Sequence, residues 1–143
     1  MTTALWAASI GAALVLVGLR TTLLAATVSG QSMQPTLAPG DRILVLRRWL
    51  ARRPRRDDVV VVRMAVPTRA GMARRLMVKR IGGAHGDRPV FFDQMLLLGP
   101  REIFVVGDNP EQSFDSRDFG TLTLDDVVGT MLCRLPRGSH AAG

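Results

Sequence analysis

The run LMVKRIGG, from Leu76 to Gly83, has the composition of a buried strand with one cation in its middle. That cation, Lys79, is the single lysine of the chain, against eighteen arginines. A guanidinium stays charged at any accessible pH, whereas an ammonium gives up its proton once burial strips it of water. A chain that uses arginine everywhere else, Arg80 included, points to Lys79 as a proton-transfer group. The competing explanation is compositional, since an arginine-biased sequence must place its one lysine somewhere. The apolar neighbours Met77, Val78 and Ile81 favour the first explanation, because they are what would desolvate an amine.

Strand-like runs continue on both sides. DRILVLR (Asp41 to Arg47) and DVVVVRM (Asp58 to Met64) are short β-branched runs, and PVFFDQMLLL (Pro89 to Leu98), EIFVVG (Glu102 to Gly107) and VVGTMLCRL (Val127 to Leu135) continue the strand-like pattern. Turn residues punctuate them at Pro39-Gly40, Gly82-Gly83, Gly86-Asp87, Gly99-Pro100 and Asn109-Pro110. No long apolar repeat of helical period follows Leu24, so residues 21–137 are expected to form one mainly β domain, with 138–143 as a flexible tail.

The first nineteen residues differ in kind. From Met1 to Leu19 no side chain is ionisable, and all formal charge, net +7, lies at or beyond Arg20. Nineteen residues at about 1.5 Å each span roughly 28 Å, near the thickness of a bilayer's hydrocarbon core. Residues 1–20 therefore read as a transmembrane anchor. A cleaved leader would carry a basic start and a shorter apolar run, and a buried helix of a soluble domain is the remaining alternative. Charge alone does not orient the anchor. Cys133 is alone, which excludes an intrachain disulfide.

Three segments carry chemistry. In SGQSMQPTLAPGDRI (Ser29 to Ile43), Ser32 sits between a glycine turn and a Pro35 bend that could hold its hydroxyl outward. A serine in such a loop is more often only a turn former. The second segment is MVKRIGGAHGD, with Lys79. The third, GDNPEQSFDSRDFG (Gly107 to Gly120), is a polar loop dense in hydroxyls and carboxylates, and a solvated turn is its plain alternative.

In this order the three segments resemble the boxes of type I signal peptidases, membrane-anchored serine proteases that use a Ser–Lys dyad. A GxSMxPTL box is matched from Gly30 to Leu37, and a GD pair with an apolar strand from Gly40 to Ile43. A KR[VI]xGxxGD box is matched from Lys79 to Asp87, and GDNxxxSxDSRxxG from Gly107 to Gly120. His85 stands where the third box usually has proline. Gly30 stands where some relatives have a second hydroxyl. The short interval before Gly107 leaves almost no room for the extra β domain of the large bacterial members.

The resemblance implies a small antiparallel β catalytic domain behind one transmembrane helix. It implies Ser32 as nucleophile, Lys79 as general base, and an oxyanion hole of backbone N–H groups, chiefly that of Ser32 with Gly30 beside it. Ser113 would hold the lysine, Asp115 and Arg117 would pair to brace the loop, and Met33 and Pro35 would meet the substrate. An ordinary lysine, with a pKa of about 10.4, is almost wholly protonated at pH 7, so the base must be pushed well below that. No metal or other cofactor is called for, and His85, His140 and Cys133 are scattered. The implied partners are the lipid bilayer and exported preproteins with small residues at positions −3 and −1. The implied location is the plasma membrane, single-pass, with the catalytic domain on the extracytoplasmic face.

Three alternatives remain at this point. A self-cleaving repressor-type Ser–Lys protease would be soluble, carry a DNA-binding module and lack the last box. A specialised relative, serving conjugative transfer or an organellar inner membrane, shares every box. A non-catalytic basic module would rest on RRWLARRPRRDD (Arg47 to Asp58), whose Trp49 and Leu50 suit a lipid interface better than nucleic acid, which is not an expected partner.

Overall fold

Four consecutive β-branched residues, Val59 to Val62, are satisfied only where both faces of a strand are buried. The computed structural model, which describes residues 2–69, 71–91 and 93–136, puts them there. They open β3 (Val59–Thr68), the middle strand of a seven-stranded sheet. Its other members are β1 (Leu23–Thr27), β2 (Arg42–Arg47), β4 (Gly71–Gly83), β7 (Glu102–Val106), β8 (Leu122–Thr123) and β9 (Val127–Leu135). Their order is β1-β2-β9-β3-β4-β7-β8, with every neighbouring pair antiparallel.

The period of two along β3 divides the core. Val60 and Val62 pack with Ile81, Ile103, Val105 and Val127 on one face. Val61 packs on the other with Val28, Met33, Leu37, Ile43 and Val45. Lys79 lies opposite Val60 in the β3–β4 ladder, so the sequence places an ammonium on a face otherwise built of valine and isoleucine.

Turns share one device, a carboxylate that accepts the backbone N–H three residues before it. Asp41 takes Ala38 N–H at 2.9 Å, Asp58 takes Arg55 at 2.8 Å and Asp87 takes Ala84 at 2.9 Å. Glu102 and Asp126 do the same for Gly99 and Thr123, both at 2.8 Å. Gly40 and Gly86, at φ 88° and 87°, supply the left-handed step just before Asp41 and Asp87, which explains the two GD pairs.

Differences from the sequence expectations are local. The apolar run Pro89 to Leu98 is not one strand: it folds into β5 (Val90–Phe91) and β6 (Gln94–Met95), a small hairpin. Asp93, at φ 60°, makes the reversal, a conformation that aspartate tolerates better than most residues. Phe92 lies outside the described residues. β3 and β4 run longer than their apolar cores, because Ala65–Thr68 pairs with Gly71–Arg74. Strand β1 was not expected at all. The short helix α2 (Ser116–Phe119) occupies the last polar loop.

The amino-terminal stretch forms α1 (Thr2–Thr22), 21 residues that run straight into β1. Its apolar side chains Trp6, Ile10, Leu14 and Leu16 are exposed. Among the described residues no helix is long and apolar enough to cross a membrane. The side chains described in α1 are those of Trp6 and residues 9–22, so the expected anchor rests partly on side chains outside that set, and the expected tail over 138–143 lies wholly outside the described residues.

Gly129 of β9 lies between two ladders, opposite Arg47 of β2 and Val61 of β3. A Cβ there would collide with the Leu46 carbonyl and sit 2.7 Å from a Val45 methyl. Backbone on one side and a core valine on the other leave no room to relax. Gly129→Ala is therefore expected to cost about 2 kcal/mol or more, read as a lower urea midpoint.

Candidate active site

Lys79 is 1% exposed, and its Nζ donates to Ser113 Oγ at 2.7 Å. Ser113 Oγ in turn donates to Asp115 Oδ2 at 2.5 Å. Asp115 has no exposed surface and gathers further donors: Gly107 N–H at 2.8 Å, and Arg117 Nε and Nη2 at 2.9 and 2.6 Å. Its other oxygen accepts the Arg117 backbone N–H at 3.1 Å and so caps α2, while Asp118 returns the favour to the Asp115 N–H at 2.8 Å. The buried Ser116 hydroxyl accepts Val105 N–H at 2.9 Å and pins the loop to β7. Each residue of the DSR tripeptide thus has a separate task.

The charges follow from these contacts. Burial would push the Asp115 carboxyl up, but the donors from Arg117, Ser113 and Gly107 outweigh it and hold the pKa at about 2. Burial pushes the Lys79 amine down, Asp115 partly opposes this, and the Arg117 guanidinium pushes it further down. A lysine moved toward neutrality beside a carboxylate that never protonates near pH 7 is the electrostatic pattern of a base.

Ser32 lies half-buried in the turn after β1. Its carbonyl accepts Asn109 N–H at 2.9 Å, which joins this turn to the loop that holds the lysine. The meeting point is Gly107. A Cβ on that residue would lie 2.5 Å from the Ser32 carbonyl oxygen and would overlap Ser113 Oγ. Only glycine lets the serine turn and the Ser113 loop close on each other.

Arg80 makes a second junction. It forms a two-point ion pair with Asp108, Nε at 2.7 Å and Nη2 at 2.6 Å, and donates to the Asp57 carbonyl at 2.9 Å. Its Nη2 also reaches Thr36 Oγ1 at 3.4 Å. The pair holds the Asp108 carboxyl below its ordinary range and raises the guanidinium further. Arg80 therefore ties the serine box, the lysine strand and the last box together.

A cleft of about 630 Å³ opens over this region. Ser29, Gly30, Ser32 and Met33 line one side, and Met77, Val78 and Phe114 the other. Of the residues expected to act, Ser32 and Gly30 face the cleft. Met33 does so while belonging to the core. Pro35, joined to Gln34 by a cis peptide, is exposed and is not part of the lining. Lys79 is buried and is not among the residues that line the cleft. Gly107, the Arg80–Asp108 pair, Ser116 and Phe114 received no role from the sequence. All but Phe114 act through contacts between segments far apart in the chain. Among the described residues no three His, Cys, Asp or Glu side chains are grouped to hold a metal ion.

The chain was compared with known proteins. The family model for signal peptidase, peptidase S26, matches residues 3–98 and 90–135. The mitochondrial ATP-independent inner membrane protease subunit 1b of Arabidopsis thaliana is 34% identical over 116 residues, covering 74% of this chain and 66% of that protein. The chloroplastic thylakoidal processing peptidase 1 of the same plant is 25% identical over 137 residues, covering 76% of this chain but only 40% of the relative. Signal peptidase I of Bacillus caldolyticus is 29% identical over 140 residues, covering 71% of this chain and 73% of that protein. The chain thus spans two fifths to two thirds of the plant relatives and nearly three quarters of the bacterial one. With the family model covering almost its whole length, this chain belongs to the signal peptidase, peptidase S26, family.

Proposed function

We propose that this protein is a membrane-anchored serine endopeptidase that removes N-terminal signal peptides from exported preproteins, with Ser32 as nucleophile and Lys79 as general base. The observation that carries this is the buried Lys79 amine, held by Ser113 at 2.7 Å, in a loop that closes on the Ser32 turn at Gly107. Neutral Nζ takes the Ser32 hydroxyl proton as Oγ attacks the scissile carbonyl. The developing oxyanion meets the Ser32 backbone N–H, with Gly30 leaving the approach open. The ammonium then passes its proton to the leaving amine, which departs and leaves an acyl-enzyme. Water, deprotonated by Nζ, releases the acyl group. Ser113 aims the amine, and Asp115 and Arg117 hold Ser113.

The cleft suits an extended chain laid between the serine turn and the β3–β4 hairpin, with small side chains at positions −3 and −1. The single membrane pass in this reading is α1, whose 21 residues carry exposed apolar side chains that suit lipid, although its described residues do not by themselves make a span. In this reading the anchor lies in the plasma membrane and the catalytic domain on the extracytoplasmic face. The similarity to an inner membrane protease subunit supports a second reading, a peptidase of the same chemistry with a narrower set of substrates. The assay is cleavage of a peptide with alanine at −3 and −1 by the detergent-solubilised chain.

Ser32→Ala should abolish turnover with the fold intact, and retention of more than about a tenth of wild-type kcat, a loss under 1.4 kcal/mol, would refute the nucleophile. Lys79→Arg keeps the charge but cannot shed a proton, so it should be as inactive as Lys79→Ala. Lys79→Met, which removes the cost of burying an ammonium, should be inactive with an unchanged or higher thermal midpoint.

The lysine also sets the pH dependence. Wild-type kcat/KM should rise with pH through the lowered Lys79 pKa, because only the neutral amine accepts the proton. Asp115, at about 2, stays ionised over that range and leaves the acid limb to the lysine. Ser113→Ala should reduce kcat by about tenfold or more while peptide KM changes little. A flat pH profile in the wild type would sink the lysine assignment.

Anchoring is separable from chemistry. Removal of residues 2–19 takes away no side chain of the cleft or the lysine network. The shortened chain should cleave the peptide at a rate within a fewfold of the full one and no longer float with phosphatidylcholine vesicles. Loss of folding on truncation would show that α1 belongs to the globular core.

A further inference from the structure

A second groove, of about 540 Å³, lies away from the cleft, lined by Arg47, Arg48, Trp49, Arg63 and Asp125 with two valines of β9. Its positive charge is not balanced from within. Asp125 is already shared between Arg48 at 2.8 Å and Arg101 at 2.7 Å. The side chains of Arg47 and Arg63 have no hydrogen bond or ion pair among the described residues, and Arg47 Nε is buried without a partner. A buried donor left unmet is costly, and an acceptor entering the groove would remove that cost.

The register fixes where this groove sits. β1 begins at Leu23, the residue after α1 ends, and Leu23 pairs with Leu46. Arg47 to Trp49 are therefore level with the last turn of α1, which also carries Arg20. Trp49 Nε1 donates to the Thr21 carbonyl at 3.3 Å and fixes the indole against the helix end. For a helix that leaves a bilayer at Thr22, this is the level of the lipid phosphates, where tryptophan also concentrates. The rest of the arginine-rich run is arranged differently: Arg52 is spent on Asp58, with both contacts at 2.9 Å.

We propose that this groove binds the phosphate of an anionic phospholipid headgroup, with the Arg47 and Arg63 guanidiniums as donors and the Trp49 indole beside the glycerol backbone. The lipid assignment rests on the anchor proposed for α1. The site itself stands on the unpaired arginines.

The test uses the full chain with Trp6→Phe in neutral maltoside micelles, so that Trp49 is the reporting indole. Dihexanoyl phosphatidylglycerol should give a saturable emission change, dihexanoyl phosphatidylcholine none, and inorganic phosphate one at least about tenfold weaker. Arg47→Gln with Arg63→Gln should weaken the phosphatidylglycerol response by about tenfold or more, with peptide cleavage retained as proof of folding. Arg53→Gln with Arg56→Gln removes the same charge from the exposed loop and should change it less than threefold. Equal losses in the two double variants would reduce the effect to diffuse charge and overturn the site. Phosphate binding as tight as the lipid would assign the groove to a free anion and overturn the headgroup. Absence of any saturable response overturns both. Flotation of the full chain with phosphatidylcholine vesicles tests the anchor separately: failure to float removes the anchor and the lipid source, whatever the micelle titration gives for the site.

Discussion

Asp115 has no exposed surface, and its two oxygens accept from a hydroxyl, two backbone N–H groups and the two-pronged guanidinium of Arg117. A buried carboxylate is tolerated only when its lone pairs are met in this way. Because Ser113 spends its proton on Asp115, its remaining lone pairs face the Lys79 amine. Because Gly107 spends its N–H there too, the β7 end is drawn under the serine turn. The cap of α2, the aim of the lysine and the closure of the two loops all depend on one negative charge. Its donors keep the pKa at about 2, so that charge persists well below neutral pH.

Lys79 has the opposite character. On its face of the sheet the neighbours are Val60, Ile81 and their packing partners, which return little for a desolvated ammonium. The fold carries this cost because β3 is buried on both sides and supplies a rigid background of valine. Stability comes from the two cores, and Lys79 lies on the face of the one that holds Val60 and Ile81. The buried amine and its rigid background thus lie on neighbouring strands, β4 and β3.

Much of this was legible in the sequence. The strands with β-branched runs appear where they were expected, β2, β7 and β9 almost residue for residue. The lone lysine in an apolar run singled out Lys79 without any relative. Ser113 and Asp115 came only through resemblance, since nothing local distinguishes them from turn formers. β1 was hidden because LLAAT has a single β-branched residue and continues the apolar composition of α1. The hairpin at Val90–Met95 was hidden because one aspartate in a left-handed conformation outweighs an apolar pattern. Gly107, Gly129 and the Arg80–Asp108 pair act between segments far apart in the chain. Their meaning is steric or electrostatic only once those segments meet.

Helix α1 passes into β1 with no intervening residue, and β1 is zipped to β2 along its whole length. No hinge separates the helix from the domain. From the end of α1 at Thr22 to Ser32 are ten steps of chain that include β1, and at about 3.3 Å per residue they cover no more than roughly 33 Å. With α1 in a bilayer, Ser32 would stay within that distance of the lipid surface and could not swing freely around the helix. On the proposed function the arrangement would work as a ruler: a scissile bond would be presented productively only if its own distance from the membrane fell within the same span, whatever its side chains.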